Sequence, residues 1–437
     1  MLSLLLFFAA ATALPAGAAG QAGPAQAEGE PLRITLQDAI ERARSNAPQF
    51  LSATTAAELA HEDRVQARAA LLPSANWFNQ FIYTQPNGTP SGAFIANDGP
   101  HVYSNQAAIH GDIFAPAKRA EYQRTVAAEA VARARAEIAA RGLVATVVQN
   151  YYGLVSAERK YVNAQQSLRE ARRFLDLTGK QERGGEVAHA DVVKAQIQVA
   201  QRQRDAQEAQ LAVDKARISL AVLLFPDFRT NYAVVDDLAT VPSLPPLDEV
   251  RVMASRGSPD IRAARETVRE ETSGVKAARG ALWPSLSFDY FYGIDANQYA
   301  VYNREHLRLL GSVAQAQLTI PVWTWGATRS KVRQAELRLR QARTDLTFAQ
   351  RQLLANLNSF YLEAQVAHSQ LASLRQSLDL SSESLRLTVL RYQAGEAIAL
   401  EVVDAQTTLT QARNAYDDGL ARYRLALAGL QTLTGAF

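Results

Sequence analysis

The chain has 437 residues, no cysteine, and 46 Lys and Arg against 43 Asp and Glu, for a formal net charge of +3. The missing cysteine excludes disulfides, thiolate zinc sites, a cysteine nucleophile and a lipid-bearing N-terminal cysteine. The near-balanced charge reads as a solvated helical surface and gives no case for a nucleic-acid partner.

The first residues, MLSLLLFFAAATAL, are apolar and are followed by Ala-x-Ala cleavage candidates at Ala16–Ala18 and Ala25–Ala27. Residues 1–27 are therefore expected to be a secretory signal, although no Lys or Arg precedes Arg33. A short membrane anchor is the weaker alternative. The apolar run stops near residue 14, and about 20 residues are needed to span a bilayer.

From Thr35 the chain reads TLQDAIERARSNAP. Thr35 as N-cap with Asp38 three residues later predicts a helix start, a break at Pro48 and a resumed helix to about Leu72. Beyond this point the chain states several of its phrases twice. LLPS at 71–74 returns as LWPS at 282–285, and GGEVAHADVVKAQ at 184–196 returns as AGEAIALEVVDAQ at 394–406. A near-constant offset along the chain marks a duplicated unit. The first repeat is expected over 28–225 and the second over 248–437. Residues 226–247, PDFRTNYAVVDDLATVPSLPPL, are Pro-rich and read as a linker or equatorial segment.

Each repeat predicts a strand pair. In LSFDYFYGID, Leu286, Phe288, Tyr290, Tyr292 and Ile294 alternate with Ser287, Asp289 and Asp295. Strands are expected at about 75–86 and 102–114, and again at about 285–295 and 310–322, with the first the least regular. One apolar aromatic face, one polar face and long polar connections fit a transmembrane barrel. Two small soluble hairpins on a core share the same periodicity. The rest predicts long helices: 117–178 and 186–225, then 327–394 and 397–433. Residues 327–394 hold 68 positions without Gly or Pro, roughly 100 Å of helix. Ala- and Gln-rich seams with apolar residues at i, i+4, i+7 predict two coiled-coil hairpins whose tips are the repeated glycine phrase.

Four strands cannot close a barrel, and an open sheet edge is not tolerated in hydrocarbon. Several chains must then share one barrel, and three would supply twelve strands. The expected fold class is mainly α with a transmembrane β-barrel. It is a duplicated unit of helix, strand pair and helical hairpin, in a homotrimer sharing a 12-stranded β-barrel and a long α-helical coiled-coil barrel.

The order of these elements, the breaks at LLPS and LWPS, the junction IPVWTWGATRSK at 320–331 and the GxxxxxxVVxAQ tips resemble the TolC-like outer-membrane efflux proteins. The resemblance covers about residues 33–437. It implies an outer-membrane exit duct with a periplasmic helical extension, passively conducting cargo from a periplasmic adaptor and an inner-membrane pump. It implies no enzyme activity and no cofactor. The six histidines, at 61, 101, 110, 189, 306 and 368, do not cluster at ligand spacing, so no metal site is expected.

In the family the closed end is held by links between hairpins, and acids ring the lumen. Carried onto this chain, the candidate periplasmic gate is Asp379, Glu383, Arg386, Arg391, Tyr392 and Asp404, with Arg391 and Tyr392 as inter-hairpin links. Arg386 stands nine residues before Gly395, where the best-known member has an acid, which weakens the expectation of a cation-selective ring. Solvated outer-face charges are the alternative for each. Candidate adaptor-docking tips are Arg183, Gly184, Gly185, Glu186, Gly395 and Glu396. The plainer alternative is that Gly185 and Gly395 only supply the positive φ that ends a helix. A periplasmic adaptor, a coiled-coil scaffold and a trimeric adhesin are the rival classes. Duplicated hairpins, aromatic strands and strand pairs separated by helix weigh against them in turn.

Overall fold

The computed structural model describes residues 31–84, 101–227 and 230–435. The expected signal segment and the first polar inter-strand connection up to residue 100 lie outside the described residues. The chain opens with β1 (Leu32–Ile34) and α1 (Leu36–Asn46). The capping box is present: the Asp38 amide donates to Thr35 Oγ1 (3.2 Å) and the Thr35 amide to Asp38 Oδ2 (3.1 Å). Ala47 leaves the helical region because a proline follows it, and α2 (Pro48–Ala69) begins there.

Next come β2 (Ser74–Tyr83), β3 (His101–Phe114), α3 (Pro116–Arg183), α4 (His189–Leu224) and β4 (Tyr232–Val234). The second repeat follows as α5 (Leu247–Gly257), α6 (Pro259–Gly280), β5 (Ser285–Ala296), β6 (Leu310–Thr319), α7 (Ala327–Gln393) and α8 (Ala399–Thr434). Helix lengths carry the duplication: α1 and α5 have 11 residues each, α2 and α6 have 22, and α4 and α8 have 36.

Several boundaries differ from expectation, each for a local reason. The first long helix runs on to Arg183, five residues past 178, because Gly179 is tolerated inside it and the left-handed Gly185 is what stops it. The return helices begin at His189 and Ala399, after the tip turns have closed. The last strand ends at Thr319, ahead of Pro321, which lacks the amide a ladder needs. The expected linker is partly strand: β4 pairs in parallel with β1, Leu32 opposite Tyr232 and Ile34 opposite Val234.

That segment is sewn into the waist of the molecule. Tyr232 and Leu238 are fully buried among Val147, Leu154, Leu220 and Leu357. Tyr151 donates to the Val235 carbonyl (2.7 Å), Arg424 to the Asp237 carbonyl (2.8 Å), and Tyr423 to the Pro242 carbonyl (2.6 Å). Arg159 holds Asp236 (2.6 Å) and Asp417 (2.9 Å) together, so one side chain joins the segment to both repeats. Tyr151→Phe removes the hydrogen bond from this buried phenol to the Val235 carbonyl at the edge of the waist. It is expected to cost about 1 kcal/mol, read as a lower midpoint in thermal unfolding of the detergent-solubilised protein.

The helices lie in one row that changes members along its length. Next to the sheet the order is α2, α3, α6, α7; toward the hairpin ends it is α4, α3, α8, α7. At 68 residues, α3 runs roughly 100 Å. No helix among the described residues is long and apolar enough to cross a membrane.

Candidate functional site

At one end of the helical row sits a four-stranded antiparallel sheet in the order β2-β3-β5-β6. The two repeats meet in it, because β3 of the first pairs with β5 of the second. Register gives the sheet two chemically distinct faces, since side chains alternate along each strand. One face carries the rows Trp77–Ala107–Tyr292–Ser312 and Ala75–Ile109–Tyr290–Ala314. The other carries Ser74–His110–Asp289–Gln315 in a single row. On that polar face His110 Nδ1 lies 2.7 Å from Asp289 Oδ1, and Ser104 Oγ donates to Asp295 Oδ1 at 2.7 Å. On the apolar face the Phe288 ring covers Gly111, where a β-carbon would collide with it.

Both outer edges of this sheet are open. Neither β2 (SANWFNQFIY) nor β6 (LGSVAQAQLT) carries a charge or a proline, the devices that ordinarily keep an edge from pairing.

The outer helices repeat the pattern. On α4, Ile197, Leu211 and Ile218 are exposed at 62%, 52% and 52%, at multiples of seven residues with Arg204 at the position between the first two. On α7, Val366, Leu380 and Leu387 are exposed at the same multiples of seven, with Ser373 at the position between the first two. A seven-residue apolar repeat is a coiled-coil seam awaiting a partner.

At the far end, the repeated glycine phrase is two copies of one turn. Gly185 (φ 76°) and Gly395 (φ 79°) are left-handed. The Glu186 amide donates to the Gln181 carbonyl (2.9 Å), and the Glu396 amide to the Arg391 carbonyl (2.8 Å). This is the six-to-one bond that satisfies a helix C-terminus when a residue without a β-carbon can take positive φ. Val192 and Ala195 of the first phrase, and Val402 and Gln406 of the second, are buried just beyond, which accounts for the VVxAQ half.

A small apolar cluster closes this end: Phe174, Ala195, Tyr392, Ala399 and Val402. The Tyr392 ring meets Phe174 edge-on at 5.1 Å, and its hydroxyl lies 3.5 Å from Thr178 Oγ1. The α7 tyrosine thus ties the second hairpin to the first within one chain. Burial pushes its phenol above the ordinary value, so it stays neutral at physiological pH.

The other expected gate residues do not gather around Tyr392. Asp379 pairs with Arg375 (3.4 Å) and Glu383 with Arg386 (2.7 Å), each on its own exposed helix face. Arg391 reaches Glu401 (3.3 Å) and the Glu396 carbonyl (3.1 Å), inside its own hairpin. Asp404 is exposed on the second turn of α8. Arg183, Gly184, Gly185, Glu186, Gly395 and Glu396 are all exposed at the tips. Because Arg386 and Glu383 bond only along one solvated helix, Arg386→Ala is expected to leave susceptibility to large antibiotics unchanged, as growth assays would show.

Sequence reasoning missed Phe174 and Thr178, the receiving side of the tyrosine. The available signal was one phenylalanine inside the otherwise charged stretch REARRFLDLTGK. It also missed the bond across the first tip between His189 Nδ1 and Glu182 Oε1 (2.6 Å). No group of three His, Asp or Glu among the described residues is arranged to hold a metal.

Comparison with known proteins places this geometry. The chain matches the protein family described as outer membrane efflux protein over residues 39–224 and 250–436. It is similar to the alkaline protease secretion protein AprF of Pseudomonas aeruginosa, 23% identical over 92% of this chain and 84% of the relative. It is also similar to the outer membrane protein TolC of Vibrio cholerae, 24% identical over 91% of this chain and 89% of the relative. Among solved structures, the CmeC outer membrane channel of Campylobacter jejuni superposes with a TM-score of 0.80 at 16% identity, over 92% of this chain and 85% of that one.

Proposed function

The chain belongs to the outer membrane efflux protein family, and from that premise we infer how one protomer becomes an exit duct. The observation that carries the reading is the matched pair of unsatisfied ends in both layers. An open β6 edge stands on one side of the sheet and an open β2 edge on the other. Below, the apolar seam of α7 stands on one side of the helical row and that of α4 on the other. Two different complementary surfaces make a head-to-tail contact, and such a contact gives a ring when its rotation closes, as a barrel with no free edge in hydrocarbon requires.

Ring size follows from the lumen. Two protomers would give eight strands, a barrel just filled by its own side chains; three give twelve and leave a passage. In that trimer the Trp77–Tyr292 face meets outer-membrane lipid, and the Ser74–His110–Asp289–Gln315 row lines water. The helical rows of three chains continue the wall into the periplasm.

The protein binds no cofactor and drives nothing. A periplasmic adaptor and an inner-membrane pump deliver cargo, and the wall supplies a polar path. The tip turns at Arg183–Glu186 and Gly395–Glu396 are the docking end. The Tyr392 cluster holds the hairpins of each chain together until docking displaces them.

The test is to fractionate membranes, solubilise the outer-membrane fraction, determine the mass of the particle and image it. Three chains forming a cylinder longer than roughly 100 Å are expected. A monomer or dimer with no barrel would overturn the reading.

A further inference from the structure

All four tryptophans of the chain stand at the helix-side end of the sheet, and all are exposed. Trp77 is the fourth residue of β2, Trp283 lies two residues before β5, and Trp323 and Trp325 follow β6. Their exposures are 70%, 63%, 72% and 88%. The opposite end carries exposed tyrosines instead, at Tyr83, Tyr299 and Tyr302. Ile320 and Val322, 56% and 87% exposed, extend the strand sequence toward the Trp323–Trp325 pair, whose rings meet at 5.6 Å.

Directly beneath the tryptophans lies a second, independent feature. The two helical turns of α2, α3, α6 and α7 nearest the sheet span 63–69, 116–122, 274–280 and 327–333, and they hold nine Lys and Arg against two Asp and Glu. The whole chain is nearly balanced at +3, so this excess is local. Salt bridges do not absorb it. Lys118 pairs with Asp112, Arg279 with Glu336 and Arg64 with Glu129. Arg68, Arg119, Lys276, Arg329, Lys331 and Arg333 are exposed and form no ion pair among the described residues.

We propose that this girdle and the cations under it form a binding belt for anionic phospholipid in the periplasmic leaflet of the outer membrane. The proposal rests on the exit-duct reading, which puts this end of the sheet at that leaflet. The physics assigns each layer a level. Indole rings settle at the headgroup boundary. Arg and Lys one or two turns below extend their heads toward lipid phosphates while their stems lie along apolar surface. A cluster of juxtamembrane cations selects anionic headgroups over zwitterionic ones. The occupant is lipid because the belt continues the apolar sheet face at the rim of the barrel, where the leaflet already ends.

The tryptophans report on their own surroundings, since none lies elsewhere in the chain. The full-length trimer is reconstituted into vesicles of phosphatidylcholine containing a minor fraction of lipid brominated on its acyl chains. That fraction is either phosphatidylglycerol or phosphatidylcholine. Brominated phosphatidylglycerol is expected to quench tryptophan fluorescence at least about twofold more deeply at equal mole fraction. The variant R329Q/K331Q/R333Q is expected to lose that preference while keeping its quenching by brominated phosphatidylcholine. The charge-keeping R329K/R333K is expected to retain it, and the single variants R329Q and R333Q, which share one helix face, are expected to reduce it should the triple variant fail to assemble.

Equal quenching by the two lipids overturns the proposal and leaves the duct reading standing. No quenching by either means the rings are not in a bilayer, and the duct reading falls as well. Inorganic phosphate replacing chloride at constant ionic strength is expected to leave the preference intact. Its loss would mean a site for soluble phosphate and would also overturn the lipid belt.

Discussion

Replacing Tyr392 with alanine is expected to leave the periplasmic end leaky, so that cells expressing the variant become sensitive to large antibiotics and single channels in planar bilayers carry more current. The Tyr392 ring is 2% exposed and packs against Phe174 at 5.1 Å. Removing a buried aromatic ring costs about 3–5 kcal/mol, and that loss falls on the outermost of the contacts between the two hairpins of each chain, beyond the Asn163–Asp417, Ser167–Thr410 and Glu170–Arg413 bonds. A cost of that size shifts the balance between closed and open ends by at least about two powers of ten. Tyr392→Phe separates the ring from its hydroxyl. The 3.5 Å contact to Thr178 is long for a hydrogen bond, and its loss should cost no more than about 1 kcal/mol. The phenylalanine variant should therefore stay closed, and Phe174→Ala should behave like Tyr392→Ala. An alanine variant with wild-type conductance and susceptibility would remove the cluster from any gating role.

The second large effect concerns two neighbouring residues with opposite fates. Ala314 and Gln315 are adjacent in β6 and point to opposite faces, Ala314 in the row of Tyr290 and Ile109, Gln315 in the row of Asp289 and His110. An arginine on the lipid face near the bilayer middle costs about 2–4 kcal/mol per copy, and far less toward water. Ala314→Arg is thus expected to abolish the trimer in outer-membrane fractions, read by the mass of the detergent-solubilised particle. Gln315→Arg should assemble normally and shift the reversal potential in a salt gradient, because it adds a cation beside Asp289. Equal tolerance of the two substitutions would show that the faces have been assigned the wrong way round.

Much of this architecture is legible in the residues because the signals are local. Thr35 and Asp38 announce a helix start through a bond between near neighbours. Gly185 and Gly395 mark turns because only glycine adopts positive φ without strain. Alternation in LSFDYFYGID sorts the two faces of a strand without reference to its partner.

What stays hidden depends on distant pairing. Nothing near Asp289 reveals that His110, 179 positions away, stands opposite it. Nothing near Tyr392 reveals Thr178, 214 positions away. The segment 226–247 reads as a linker because its prolines are visible locally, whereas the burial of Tyr232 and Leu238 is conferred by helices from both repeats. The charges before Gly395 look alike in one dimension. Only the folded hairpins show that Arg386 and Glu383 satisfy each other on solvent while Tyr392 turns inward.

The two apolar clusters along the helices are unequal, and the inequality has a mechanical meaning. The waist cluster joins more than thirty buried residues with the 232–242 segment bonded across both repeats, whereas the tip cluster has five. Phe174 at the tip stands 22 residues beyond Tyr152 at the waist along continuous α3. Those residues form a rigid arm of roughly 33 Å. The waist is the broad anchor of the helical row and the tip is the smaller of its two apolar contacts. Over such an arm a tilt of about 10° carries the tip by roughly 6 Å, and it has to undo the polar rungs Asn163–Asp417, Ser167–Thr410 and Glu170–Arg413 along the way as well as the Phe174–Tyr392 contact. A force applied at the tips therefore meets a short ladder of polar rungs before it meets the waist, and on the exit-duct reading the barrel is the part of the wall that such a force reaches last.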